Sequence, residues 1–186
     1  SEMCIRDRTT AEYARIGTLA QMNPPLRSAE NLEVLWQALL DGVIDFIATD
    51  HAPHTLAEKA QPYPQSPSGM PGVETSLAVM LTQAKQGKCT VAQVAHWMSK
   101  AVADAYLIPN KGVIAPGYDG DLVLVDLENY KPVLRAELQT KCGWSPFEGQ
   151  NLTGWPQVTI VGGQIVYERG QLYPEVRGEA LKFGEI

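Results

Sequence analysis

Hydrophobic positions change period several times along the chain, and each change marks an element. Residues 16–22 form a short, mostly apolar run that ends at Asn23-Pro24-Pro25, where two prolines stop any strand or helix. From Ser28 the pattern is helical. Leu32, Leu35, Trp36 and Leu39 fall at i, i+3, i+4 and i+7, with Ser28 as the expected N-cap and Gly42 as the stop. Residues 43–48 (Val-Ile-Asp-Phe-Ile-Ala) are short, β-branched and apolar, which predicts a strand covered on both faces, as in a parallel sheet. Strand, helix, strand in so short a stretch predicts a βαβ unit, and with it an α/β barrel or a doubly wound sheet.

A loop follows over 50–72 with five prolines and two glycines. It is long for a connection inside a compact domain, and such loops are usually functional. A helix is predicted over 74–86 and stopped by Gly87. Thr90 and Gln93 form a capping box that opens another, whose apolar stripe is Val91, Val94, Ala95, Met98 and Val102. Trp97 and His96 stand beside that stripe, and His96 is expected to be a surface or partly packed histidine rather than a ligand. Beyond Pro109 the period falls to two. Residues 121–126, 158–161 and 164–167 read as strands, and Gly162-Gly163 reads as a hairpin turn rather than a phosphate loop.

Composition narrows the classes. The 186 residues carry 15 basic and 21 acidic side chains, a net charge of −6, which is the wrong sign for a nucleic-acid binder. A closed (β/α)₈ barrel needs about 250 residues, so a barrel signature in this chain belongs to part of one. Cys4, Cys89 and Cys142 are odd in number and widely spaced, which predicts neither a disulfide framework nor a zinc ribbon. No apolar run approaches the ~18 residues of a membrane helix, and no leader-like segment opens the chain. A soluble, cytoplasmic protein is expected. The opening residues fit this picture poorly: Met3-Cys4-Ile5-Arg6-Asp7-Arg8 resembles the translation of a sequencing-library adapter. Residues 1–10 are therefore expected to be non-native or disordered.

The chemistry concentrates in Thr49-Asp50-His51-Ala52-Pro53-His54. Asp50 directly follows the predicted strand 43–48, where barrels and open α/β sheets present their ligand-binding side chains. A carboxylate there can ligate zinc or act as a base, and Pro53 restricts His54 to the same neighbourhood. The alternative is an Asp cap with two histidines in a surface turn.

Larger blocks break the tie. Ile47-Ala48-Thr49-Asp50-His51-Ala52-Pro53-His54 with Glu58-Lys59 resembles class I dihydroorotase, a metal-dependent cyclic amidohydrolase. So do Pro67-Ser68-Gly69-Met70-Pro71-Gly72-Val73-Glu74-Thr75 and Asn23-Pro24-Pro25-Leu26-Arg27. Gly112-Val113-Ile114-Ala115-Pro116-Gly117, Asp119-Gly120-Asp121-Leu122-Val123 and residues 159–167 resemble the segment returning to the β-sandwich in the same superfamily. Hydantoinases and allantoinases share the architecture but lack the Asp-His-Ala-Pro-His run.

The resemblance implies an α/β fold: the C-terminal part of a TIM-like barrel, with strands seven and eight, over 11–110, and part of a small β-sandwich with the tail over 111–186. It implies reversible hydrolysis of L-dihydroorotate to N-carbamoyl-L-aspartate in pyrimidine biosynthesis, with one or two Zn²⁺ ions. Asp50 matches a metal-binding carboxylate that also shuttles a proton to the leaving nitrogen. Asn23 and His54 match substrate-binding residues, the latter contacting the substrate carboxylate, and Ser68 and Gly69 match a loop whose backbone faces the ring. His51 is expected to be buried packing, Arg27 and Lys59 structural ion-pair partners, and Trp144 and Phe147 parts of a packed loop.

The family's HxH pair is missing, because His51, His54 and His96 are the only histidines. Most zinc ligands would therefore have to come from outside these residues, and the chain is expected to be an N-terminally truncated dihydroorotase. Two alternatives remain: a metal-free dihydroorotase-like scaffold for aspartate transcarbamoylase, and another cyclic amidohydrolase. The expected partners are a small-molecule substrate and either a second copy of the chain or aspartate transcarbamoylase, with no nucleic acid and no membrane. The 186-residue chain by itself should be inactive and bind zinc weakly. Stoichiometric zinc with dihydroorotate turnover by the purified chain would contradict that.

Overall fold

The computed structural model describes residues 8–184, and the adapter-like run lies almost wholly outside them. Of residues 1–10, Arg8, Thr9 and Thr10 are built into the fold. Arg8 is buried, pairs with Glu12 and stacks its guanidinium 4.2 Å from the centre of the Phe147 ring. Thr9 bridges Arg27, and the Thr10 amide donates to the Arg27 carbonyl at 3.0 Å.

Two compact units divide the chain. One holds the residues up to Ser76 together with Pro132–Asn151, the other Leu77–Lys131 and the residues from Leu152 onward. These limits differ from a single boundary at 110/111. The helices after Ser76 group with the β-rich tail because their side chains pack on it: Thr82 Oγ1 accepts the Thr153 amide at 2.9 Å, and Leu81 lies directly against Gly154.

In the first unit, α1 (Glu12–Ile16) leads through a 3₁₀ turn to the proline stop. Helix α2 (Ala29–Leu40) follows the predicted period and buries Trp36 and Leu39. Ser28 occupies the N-cap position in extended conformation, yet its Oγ accepts the Asn31 side chain (2.9 Å) rather than a helix amide. Residues 43–48 depart from expectation. They form no named strand, and Val43 is 76% exposed while Ile47 is buried. A parallel strand takes its hydrogen bonds from flanking strands, and among the described residues no named strand lies beside this segment. The short helix α3 (Leu56–Lys59) sits inside the proline-rich loop. A cluster of Ala20, Met22, Leu26, Met70 and Trp144 forms the core beneath it.

In the second unit, α4 (Ser76–Lys85) buries Ala78, Val79, Met80 and Leu81 in succession, as a helix apolar round its circumference must. Helix α5 (Val91–Ala95) starts at the predicted capping box, both halves of which form. It passes through a π-helical turn, His96–Lys100, into α6 (Ala101–Ala105). Val94, Trp97 and Ala101, spaced three and four residues apart, are buried while Val91 and Ala95 are exposed. The predicted stripe shares Val94 with this face but took Val91 and Ala95 in place of Trp97, because spacing does not say which of two adjoining faces packs. Gly112, at φ +82°, closes against this turn: a Cβ there would stand 2.7 Å from the Lys100 Cα.

The β region is an antiparallel sheet of β1 (Leu122–Asp126), β2 (Trp155–Val161), β3 (Gln164–Glu168) and β4 (Gln171–Leu172), in that order. Gly162 and Gly163, both at positive φ, make the predicted two-residue turn. Asp121 accepts the Gly162 amide at 2.7 Å, and its bond to Lys111 holds its carboxyl below the usual carboxylate range. Thr90→Ala should lower stability by about 1 kcal/mol through loss of the cap, read as a reduced denaturation midpoint.

Candidate active site

The proline-rich loop has internal order. Its ends meet through a parallel bridge between His51 and Met70, and the Ala52 amide donates to the Met70 carbonyl at 3.1 Å. Midway, Thr55 and Glu58 form a reciprocal capping box: the Glu58 amide donates to Thr55 Oγ1 (3.2 Å), and the Thr55 amide to Glu58 Oε2 (2.7 Å). That cap fixes the single turn of α3, which ends at Lys59.

Lys59 is fully buried. Its ammonium donates to the carbonyls of Gln21 (2.9 Å), Pro67 (2.8 Å) and Gly69 (3.1 Å). Burial lowers its pKa to about 8, which still leaves it mostly charged at neutral pH. The expected ion pair is not what the structure shows: peptide carbonyls, not a carboxylate, surround this cation. Further bonds tie the same segments. Gly69 donates its amide to Gln21 O (3.0 Å), Gln21 Nε2 to Ser66 O (2.7 Å), and Ser66 Oγ to Lys59 O (3.3 Å).

Above this support lies a cavity of about 50 Å³ lined by Met22, Asn23, Thr49, Asp50, Ala52, Ser68, Gly69 and Met70. Four of the five predicted site residues, Asn23, Asp50, Ser68 and Gly69, thus line one small space. The side chains of Asn23, Asp50 and Ser68 are exposed over a buried floor of Met22, Gly69 and Met70. The volume suits a few waters and falls well short of the roughly 300 Å³ at which small-molecule pockets begin. Asp50 adopts φ +43°, a left-handed conformation unusual for a residue with a Cβ and common where a side chain is aimed at a site.

His54, the fifth residue, flanks the cavity. Its Nε2 donates to the Ser68 carbonyl at 3.0 Å, and its own carbonyl accepts the Trp144 indole N–H at 2.8 Å. With Nε2–H engaged, a neutral ring offers Nδ1 only as an acceptor, so binding a carboxylate through Nδ1 requires the imidazolium. His51 is exposed rather than buried. Its Nδ1 accepts the amides of Gly72 (3.1 Å) and Val73 (3.3 Å), which leaves the ring at the edge of the loop. Sequence reasoning placed Lys59 outside the site and did not connect Trp144 to His54. A lone lysine and a lone tryptophan carry no spacing signal that could have done so.

Asp50 can contribute one ligand to a metal. A catalytic zinc takes about three protein ligands and a water, and among the described residues no group of three His, Cys, Asp or Glu side chains converges. The described residues therefore do not compose a metal centre by themselves. Among them, no helix is long and apolar enough to cross a membrane.

Asp50, with its asparagine and glycine loop, lies in a stretch, residues 7–166, that matches the amidohydrolase family, and the chain belongs to that family. It is 44% identical over 153 residues to a dihydroorotase of Halobacterium salinarum, covering 82% of this chain and 36% of that protein. A dihydroorotase of Anoxybacillus flavithermus is 40% identical over 152 residues, covering 81% and 35%. Among solved structures, an L-hydantoinase (dihydropyrimidinase) from Arthrobacter aurescens superposes with a TM-score of 0.88 at 32% identity, over 93% of this chain and 40% of that one. A D-hydantoinase (dihydropyrimidinase) from Thermus sp. gives 0.85 at 28% identity, over 93% and 40%. The chain spans little more than a third of the length of the curated relatives it matches. Its fold is α/β, corresponding to the C-terminal part of a TIM-like amidohydrolase barrel with part of a β-sandwich.

Gly69 is the most constrained position at the site. It sits at φ +137°, and a Cβ there would stand 2.5 Å from the Ala52 carbonyl oxygen and 3.2 Å from His54 Cδ2. Gly69→Ala should lower stability by more than about 1 kcal/mol, measured by urea denaturation.

Proposed function

We propose that the chain is the part of a dihydroorotase that holds the substrate and moves the proton. The reaction is reversible hydrolysis of L-dihydroorotate to N-carbamoyl-L-aspartate in pyrimidine biosynthesis. One observation carries the reading: Asp50 shares its cavity with Asn23 and with Ser68-Gly69, in a chain 44% identical to a dihydroorotase over 153 residues.

Hydrolysis of a ring amide forms a C–O bond, breaks the C–N bond and transfers one proton from water to the departing nitrogen. On this reading Asp50 accepts that proton and delivers it, a role supported by its position in the cavity lining on a left-handed backbone. Asn23 offers both a donor and an acceptor to the ring's amide edge. Ser68 and Gly69 present backbone close to the ring, and His54, as an imidazolium, meets the substrate carboxylate. Zinc, when bound, supplies a Lewis acid for the ring carbonyl. Asp50 would be one of its ligands, the remainder coming from outside the described residues. The same reading places the protein in the cytoplasm, as a homodimer or in complex with aspartate transcarbamoylase.

A second reading, another cyclic amidohydrolase, draws on the two hydantoinase structures that superpose so well. Assays of the metal-loaded, full-length gene product on dihydroorotate, hydantoin and allantoin separate the two. Turnover of dihydroorotate is expected, and its absence sinks the leading function. In the same protein, Asp50→Asn should reduce kcat by about 10³-fold or more. Asn23→Ala should raise KM with little change in kcat, the signature of lost ground-state binding.

A further inference from the structure

We infer that Lys59 is a positioning residue: it sets substrate affinity by holding three substrate-binding segments together, without itself touching substrate. The inference deepens the dihydroorotase reading and rests on it. The three carbonyls that surround its ammonium each belong to such a segment. Gln21 lies two residues before Asn23, Pro67 and Gly69 flank Ser68, and the helix that delivers Lys59 begins directly after His54 and Thr55.

A space-filling role alone does not explain a cation here. Burying a charge is costly, and a hydrophobic side chain of similar volume is generally at least as stabilising. What the ammonium supplies is three donors and no acceptor. Among the described residues the Pro67 and Gly69 carbonyls accept from Lys59 alone, whereas Gln21 O also accepts the Gly69 amide. Removing the ammonium therefore leaves the peptide units on either side of Ser68 without partners. They would turn toward water, and Ser68 would move with them. The carbonyl of Ser68 carries the bond from His54 Nε2, so the disturbance reaches the histidine as well. Asp50 is held separately, through the chain entering the His51–Met70 bridge.

The test uses the metal-loaded, full-length gene product and Lys59→Met, which keeps an unbranched side chain one atom shorter and removes charge and donors. Expected are a KM for dihydroorotate raised about tenfold, kcat within about threefold, unchanged metal content and faster hydrogen exchange at the Gly69 amide. An unchanged KM, even with a lower Tm, overturns the inference because the lysine would then be only structural. A fall in kcat at constant KM overturns it too, by placing Lys59 in the chemistry. If Lys59→Met does not fold, Lys59→Gln retains two N–H donors without the charge and is read by the same measurements, with the same directions expected. Absence of wild-type turnover rejects the dihydroorotase reading instead. The exchange rate at Gly69 then decides whether Lys59 holds the loop, and an unchanged rate overturns that.

Discussion

Five prolines between residues 50 and 72 leave the loop with more carbonyl acceptors than amide donors, because each proline brings an oxygen and no N–H. Protein interiors tolerate few unpaired polar groups, so a loop of this composition needs a source of surplus donors. Lys59 is that source. Its ammonium carries three N–H groups and no acceptor, and it donates to two backbone oxygens of the same loop and one from Gln21, distant in sequence. The ordered walls of the cavity depend on this arrangement. Without it, Pro67 and Gly69 would have to find water, and a loop that must reach water cannot also form a dry floor.

Beneath the loop, packing turns the arrangement into a fixed surface. Trp144 is fully buried in the same cluster as Met22 and Met70, the two methionines that line the cavity. Its one polar atom donates to the His54 carbonyl, so apolar packing and histidine orientation are set by a single side chain. The loop bearing Trp144 is itself tied down. Glu74 accepts the amides of Gln139 (2.8 Å) and Thr140 (3.0 Å), and Arg15 donates to the Pro146 carbonyl at 3.1 Å. The polar residues of the cavity therefore stand on a floor that is apolar, buried and cross-braced, the setting in which a carboxylate or an amide can be aimed.

Much of the fold was legible from local signals. Helix α2 follows from the spacing of Leu32, Leu35, Trp36 and Leu39, the start of α5 from Thr90 and Gln93, and the hairpin from Gly162-Gly163. Each is decided within a few residues, by one side chain's reach or one glycine's φ. The errors arose where the deciding contact is distant. Residues 43–48 have a strand's composition, but a strand exists only beside another. The buried face of α5 and α6 runs through Trp97 rather than Val91 and Ala95, because which face packs depends on contacts across the unit that spacing cannot reveal.

The site divides in the same way. Sequence by itself determined which residue types are available: a carboxylate after an apolar segment, an asparagine before two prolines, and a serine-glycine pair in a proline-rich loop. Together with their resemblance to dihydroorotase, these were enough to name Asn23, Asp50, His54, Ser68 and Gly69. Only the tertiary structure decided that four of them share a cavity, that His51 stands exposed at the edge of the loop, and that Lys59 pairs with carbonyls instead of a carboxylate. The physical reason is that hydrogen-bond satisfaction is counted over the folded interior. A lysine becomes structural or functional according to which oxygens surround it, and those oxygens arrive from Gln21, Pro67 and Gly69 only once the chain has folded.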